Sequence, residues 1–246
     1  MGQARARGGD GPAGVGLVTG GTRLPLGPPA LVFKGEHWPG DRVTATAAAW
    51  RETLVRACRG ATGPLALVMA NQPQSVALFF ALSSLPAPLV LLPPDLAPWP
   101  SSPPLPPDTR LVLTPAQRGL RREVDPLGLS VTMLDDVERP AIPAEPPAFL
   151  TTPGIVLFTS GSTGPPRPVY RSASAILDVS RALIAAVGLA SGTGVIATLP
   201  LARAFGLNHA IEMAAGQEQG HVTGPQRQRR RRQRNPRRQR QVRPQG

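Results

Sequence analysis

Four short apolar runs constrain the fold of this 246-residue chain more than any other feature. They are LALVMA (65–70), PLVLLP (88–93), RLVLT (110–114) and GIVLFT (154–159). Runs of this length without polar alternation are typical of strands buried on both faces, as strands of parallel sheets are. Further strand candidates are SVTMLD (130–135), PVYRS (168–172) and GVIATLPL (194–201). We therefore predict an α/β fold whose mainly parallel sheet is flanked by helices.

Helical periodicity separates these runs. Trp50, Leu54 and Cys58 recur at i, i+4 and i+8, which predicts a helix from about residue 44 that faces the core and closes at Gly60. Pro73 is suited to begin a second helix, because proline is tolerated in a first turn. Two more helices are predicted at 115–124 and at 173–188.

The apolar stretch 75–92 is uncharged and long enough to cross a membrane. Pro86 and Pro88 divide it, so a buried helix followed by a buried strand explains it better. The N-terminal residues carry positive charge, but no apolar run follows them as in a secretory signal. We therefore expect no membrane span and a soluble, cytoplasmic protein.

The net charge of +12 comes almost entirely from the C-terminal stretch. Residues 226–246 contain ten arginines and no acidic residue, so the rest of the chain is close to neutral. Any inference from charge to a nucleic-acid partner therefore concerns this stretch alone. The single cysteine and three scattered histidines exclude an internal disulfide and make a structural zinc site very improbable, so no metal ligands are assigned.

The residues best suited to chemistry lie in FTSGSTGPPRPV (158–169), directly after the fourth apolar run. Its glycines permit positive φ angles, so that backbone N–H groups can converge on an anion. Its hydroxyl groups add donors, and Arg167 adds a permanent cation. In open α/β sheets ligands bind at the carboxyl ends of strands. A turn without a ligand is the alternative for a loose serine and glycine cluster, but the residue order here is more specific.

TSGSTGPPR resembles the phosphate-binding signature of the adenylate-forming superfamily, which contains acyl-CoA ligases, luciferases and carrier-protein-loading adenylation domains. In that family a hydroxyl and glycine loop is followed by Thr-Gly-x-Pro-Lys-Gly; here Arg167 replaces the lysine and Pro168 the next glycine. LPLARAFGL (199–207) is similar to the family segment that borders the carboxylate-substrate pocket, with Arg203 where an aromatic residue or histidine is usual. Residues 65–94 resemble the family's strand–helix–strand unit, including an asparagine after the first strand.

The resemblance implies an AMP-forming ligase that uses ATP and Mg²⁺ to activate a carboxylic acid, of which a fatty acid is the expected class. The acyl-adenylate would then pass its acyl group to coenzyme A or a carrier protein. The phosphate-site residues implied are Thr159, Ser160, Gly161, Ser162, Thr163, Gly164 and Arg167. The implied edge of the substrate pocket is Arg203, Phe205 and Gly206.

Other segments of the family are not found in this sequence. They are the Tyr-Gly-x-Thr-Glu segment for adenine and magnesium, the ribose-binding aspartate and the catalytic lysine of a C-terminal lid. The predicted organisation is therefore a disordered Gly-rich leader (1–29), a partial N-terminal domain of the adenylate-forming fold (30–215) and a disordered Arg/Gln-rich tail (216–246). We expect this chain to be incomplete and inactive alone.

The tail leaves four interpretations open. It is a solvated basic extension, a nucleic-acid-binding arm, a contact for anionic membranes, or a non-native continuation produced by a frameshift or a mispredicted end. Apolar periodicity stops abruptly before it, and Val222 and Val242 are its only aliphatic residues, which favours the non-native continuation. The alternative function is that of a basic protein binding nucleic acid through the tail.

Overall fold

Short strands and helices alternate along the chain. The computed structural model describes residues 30–59, 63–94, 105–125, 128–137, 151–159, 166–189, 194–208 and 221–223. The strands are β1 (Ala30–Phe33), β2 (Glu36–Trp38), β3 (Leu65–Val68), β4 (Leu89–Leu92), β5 (Arg110–Leu113), β6 (Ser130–Met133), β7 (Gly154–Phe158), β8 (Pro168–Ser172), β9 (Gly194–Ile196) and β10 (His221–Thr223). The helices are α1 (Gly40–Ala57), α2 (Pro73–Ser83), α3 (Arg121–Val124), α4 (Ala173–Val187) and α5 (Ala204–Gly206), and a 3₁₀ helix (Pro115–Leu120) precedes α3.

The four apolar runs supply the central strands of a six-stranded sheet with the order β6-β5-β3-β4-β7-β8. Every neighbouring pair is parallel except β7 and β8, which are antiparallel. All residues of β3, β4 and β7 are buried, as uninterrupted apolar runs require. The predicted fold class, an α/β fold with a mainly parallel sheet flanked by helices, is confirmed.

Alternate residues of β3 pack into two separate cores. Leu65 and Leu67 join the larger core, which α1 and α2 also form, whereas Ala66 and Val68 join a smaller core with Val124 of α3. α2 is buried along almost its whole length, so the stretch 75–92 is a buried helix followed by a buried strand, as predicted. Within the described ranges, no helix is both long and apolar enough to cross a membrane.

α1 begins at Gly40, four residues before the predicted start, and ends at Ala57. Trp50 and Leu54 are buried on its core face, and the Trp50 indole N–H donates to the carbonyl oxygen of Asp135 at 3.0 Å. Cys58 follows the last turn and is half-buried against the core.

A second sheet, with the order β2-β1-β10-β9, was not predicted as such. β1 and β2 form a hairpin whose two turn residues, Lys34 and Gly35, have φ angles of 51° and 86°. Positive φ at both turn positions suits the twist of a two-residue hairpin. The sequence signal for this hairpin was Gly35 at the second turn position. β10 lies inside the segment 216–246 that the sequence pattern assigned to a disordered tail, and its backbone pairs in parallel with β1 and β9.

Candidate functional site

The loop between β7 and β8 has a closed neck, formed by Thr159 and Arg167. The Thr159 backbone N–H donates to the Arg167 carbonyl oxygen at 3.0 Å, and the Arg167 backbone N–H donates to Thr159 Oγ1 at 3.0 Å. The neck lies at the carboxyl end of β7, beside the carboxyl end of the parallel strand β4. Five of the proposed phosphate-site residues lie between the two neck residues and outside the described ranges: Ser160, Gly161, Ser162, Thr163 and Gly164.

Pro168 occupies a position where a backbone N–H would not take part in the β7–β8 ladder. Thr159 lies opposite Arg167 and Phe158 lies opposite Pro168. Hydrogen-bonded and non-hydrogen-bonded pairs alternate in antiparallel strands, and Thr159 donates to Arg167, so Phe158 and Pro168 form a non-hydrogen-bonded pair. The backbone groups of such a pair point away from each other. Pro168 therefore removes no ladder bond, in keeping with the confinement of proline to outward-facing positions of edge strands.

Arg203 reaches the neck from a distant part of the chain. Its Nη1 donates to the carbonyl oxygens of Phe158 at 2.9 Å and Thr159 at 2.7 Å. The sequence placed Arg203 at the edge of a substrate pocket, and the structure places its side chain against the first residues of the loop. Of the other two predicted pocket residues, Phe205 is 58% exposed and Gly206 is buried.

Gly206 allows a close approach of two backbone segments. A Cβ atom at this position would lie 2.2 Å from the carbonyl oxygen of Pro200. A glycine is therefore required here by packing, because real Cβ atoms do not come so close to backbone oxygen. The contact folds residues 199–208, which we call the strap, back on themselves.

Asn71 ties the strap to the carboxyl end of β3. Its Nδ2 donates to the Leu199 carbonyl oxygen at 2.9 Å, and its Oδ1 accepts from the Leu201 backbone N–H at 2.9 Å. At the far end of the strap, Arg171 Nη1 in β8 donates to Asn208 Oδ1 at 2.6 Å. The strap therefore connects β3, β7 and β8. Asn71 was noted in the sequence only as part of the resemblance, although a polar residue directly after a parallel strand was a signal for a site residue.

Two arginines at the neck have no carboxylate partner among the described residues. The ion pairs among the described residues join Glu36 to Arg42, Asp125 to Arg121 and Asp178 to Arg181, all on the surface. Arg167 and Arg203 are thus two cations beside one loop, an arrangement that attracts an anion. Across the same described ranges, no group of three His, Cys, Asp or Glu side chains could hold a metal ion.

A small apolar pocket lies between β1, the start of α2 and the strap. Phe33, Pro73, Val76, Ala197 and Leu201 are among the residues that line it, and its volume is about 30 Å³. This volume suits one or two water molecules rather than an acyl chain.

No model of a known protein family matches this sequence, and no curated protein matches it. Several solved structures do match its fold. ATP-bound MatB from Rhodopseudomonas palustris is 16% identical with a TM-score of 0.60, and the match covers 80% of this chain and 42% of that one. The amide bond synthetase McbA from Marinactinospora thermotolerans is 21% identical with a TM-score of 0.61, covering 82% and 43%. A putative long-chain-fatty-acid CoA ligase from Rhodopseudomonas palustris is 17% identical with a TM-score of 0.57, covering 80% and 53%.

These structures are adenylate-forming ligases. The chain spans about half the length of the solved structures that it matches. Identities of this size establish likeness of fold alone, which is consistent with the mainly parallel sheet flanked by helices described above. The described part of this chain has the α/β fold of part of an adenylate-forming ligase.

Proposed function

We propose that this protein binds ATP at the loop of residues 159–167 and belongs to a ligase that activates a carboxylic acid as its adenylate. The observation that carries the proposal is the neck: Thr159 and Arg167 close a glycine and hydroxyl loop at the carboxyl end of a parallel strand. Arg167 and Arg203 add two cations that have no carboxylate partner among the described residues. The likeness to ligases that include an ATP-bound structure supports the same proposal.

The residues of the loop would act on the β- and γ-phosphates of ATP. Backbone N–H groups of residues 160–164 and the hydroxyls of Thr159, Ser160, Ser162 and Thr163 would donate to the phosphate oxygens, and Arg167 would compensate their charge. A carboxylate oxygen of the acid then attacks the α-phosphorus, the bond from that phosphorus to the bridging oxygen breaks, and pyrophosphate leaves. The loop would stabilise the charge that accumulates on this leaving group.

We further propose that the acyl group is transferred to a thiol, either coenzyme A or a carrier-protein thiol. The thiol sulfur attacks the acyl carbon and AMP leaves. A fatty acid is the first substrate class to test, because one structural neighbour is described as a fatty-acid ligase. Another neighbour is an amide bond synthetase, so an amine is the competing acceptor.

Mg²⁺ is proposed only as a companion of the ATP phosphates. The described residues offer no cluster of acidic or histidine side chains for a resident ion. The phosphate oxygens themselves are ligands that Mg²⁺ prefers. No step of the reaction is therefore assigned to a metal ion held by this chain.

Calorimetric titration of the full chain with ATP and Mg²⁺ tests the binding step. Arg167→Gln should weaken ATP binding about tenfold or more, since a charge-assisted hydrogen bond contributes about 1.5–3 kcal/mol. Arg118→Gln is the matched control, because Arg118 is an exposed arginine on the 3₁₀ helix. Absence of ATP binding by the unaltered chain at millimolar concentration would refute the proposal.

Release of pyrophosphate tests turnover separately. We propose that this chain binds ATP without completing ligation alone, because the adenine, ribose and lid segments of the family are not found in its sequence. Pyrophosphate release on addition of a fatty acid would show that this second part is wrong, while leaving the binding site intact.

The alternative of nucleic-acid binding through residues 216–246 stays a hypothesis from sequence. Of that segment the structure describes the backbone of β10 alone. No observation in the described ranges favours it.

A further inference from the structure

We propose that Arg203 is a positioning residue that fixes the neck formed by Thr159 and Arg167 and thereby strengthens the binding of an anion beside the neck. The inference rests on the proposed nucleotide site and extends it to a residue outside the loop. Arg203 lies 36 positions after Arg167 in the sequence. Its guanidinium nevertheless contacts the last residue of β7 and the first residue of the loop.

The hydrogen bonds at the neck differ from those of a regular ladder, and Arg203 occupies the position of one ladder donor. In a regular hydrogen-bonded pair, the Arg167 N–H would donate to the carbonyl oxygen of Thr159. Here it donates to the Thr159 side-chain hydroxyl at 3.0 Å. The Thr159 carbonyl oxygen instead accepts from Arg203 Nη1 at 2.7 Å. Two groups thus replace the missing ladder bond: the Thr159 hydroxyl accepts from the Arg167 N–H, and the Arg203 guanidinium donates to the Thr159 carbonyl oxygen.

The guanidinium also changes the electrostatics of the neck. Carbonyl oxygens carry partial negative charge, and oxygens of Phe158 and Thr159 next to the loop would repel a phosphate. Each of them accepts a hydrogen bond from the cationic Arg203 side chain at 2.7–2.9 Å, which compensates that charge. Because these bonds exist before the anion arrives, the carbonyl groups need no reorganisation when it binds.

Arg203 is itself held in place by the strap. Its backbone N–H donates to the Pro200 carbonyl oxygen at 3.1 Å, and its carbonyl oxygen accepts from the Leu207 N–H at 2.9 Å. Asn71 fixes the strap to β3 through two bonds of 2.9 Å each. The backbone that carries the guanidinium is therefore bonded at both sides of Arg203, as a positioning residue needs. The chain of contacts runs from β3 through Asn71, the strap and Arg203 to the neck.

Amide hydrogen exchange and ATP titration of Arg203→Ala, Arg203→Gln and Arg203→Lys test the inference. We expect Arg203→Ala and Arg203→Gln to increase exchange at the Thr159 and Arg167 amides about tenfold without nucleotide, and to raise the Kd for ATP about tenfold, as loss of a charge-assisted hydrogen bond would. Lysine can donate to both carbonyl oxygens, so Arg203→Lys should restore a large part of both properties. Arg118→Gln serves as the control for loss of one exposed arginine.

The outcomes separate this inference from the proposed function. Unchanged exchange at the neck in Arg203→Ala would overturn the inference even if ATP binding weakened, because the guanidinium would then contact the phosphates directly. Faster exchange with unchanged ATP affinity would also overturn it. If the unaltered chain binds no ATP, the proposed function fails, and the role of Arg203 at the neck is decided by the exchange data alone. Exchange at amides of β3 reports whether a variant is folded.

Discussion

Replacement of Asn71 by alanine should release the strap from the sheet. The substitution removes two hydrogen bonds, from Nδ2 to the Leu199 carbonyl oxygen and from the Leu201 N–H to Oδ1. A net hydrogen bond contributes about 0.5–1.5 kcal/mol, so the loss of both costs about 1–3 kcal/mol. The side chain is only partly buried, which limits any additional cost of a cavity.

Native-state amide exchange at Leu201 measures this effect directly, because its N–H is one of the two donors. A cost of about 1–3 kcal/mol corresponds to roughly five- to 150-fold faster exchange. Asn71→Asp is the matched control: its carboxylate still accepts from Leu201 but has no donor for Leu199. We therefore expect Leu201 to stay protected in Asn71→Asp, while urea unfolding shows a loss of stability. Unchanged exchange at Leu201 in Asn71→Ala would refute the reasoning.

Three further predictions concern packing, ionisation and charge. Gly154→Ala should lower the free energy of unfolding in urea by about 1–3 kcal/mol, because a Cβ there would lie 2.5 Å from the Arg171 carbonyl oxygen. Gly119→Ala is the control. Position 119 has open space around it, so this change should be nearly neutral. Burial raises the pKa of the Cys58 thiol, an effect that Arg110 partly opposes. Alkylation at pH 8 should therefore be slower in the folded chain than in urea, and the contribution of the thiol to stability should be lost as the pH rises above about 9. Deletion of residues 226–246 removes ten arginines and keeps β10. If the tail binds RNA, this deletion should abolish the salt-dependent affinity of the chain for RNA. Undiminished RNA binding by the shortened chain would exclude the tail as the RNA-binding segment.

The central sheet could be predicted because its signal is local. Uninterrupted apolar runs between proline and glycine determine β3, β4, β5 and β7, and burial on both faces follows from their composition. The order of strands along the sheet could not be derived in the same way, since it depends on crossovers that no single run encodes.

The site was predictable only in part. The glycine and hydroxyl pattern selected residues 158–169 as the candidate loop, and of the predicted phosphate-site residues the structure describes Thr159 and Arg167, which close the neck. The contact between Arg203 and the neck depends on the path of the strap, which residue spacing does not reveal. The predicted strand 194–201 is shorter in the structure, where β9 covers Gly194–Ile196 and Asn71 binds the backbone at Leu199 and Leu201.

The bond between Asn71 and the strap has a consequence for synthesis of the chain. The two partners are 128 residues apart in sequence. At about 5–20 residues per second, a ribosome takes roughly 6–26 seconds to pass from one to the other. For that interval a nascent chain already contains Asn71 and β3, but neither the backbone that Asn71 will bind nor the arginine that will hold the neck. The bonds that join β3 to the strap, and the strap to the neck, can therefore form only after residues 199–203 have been synthesised.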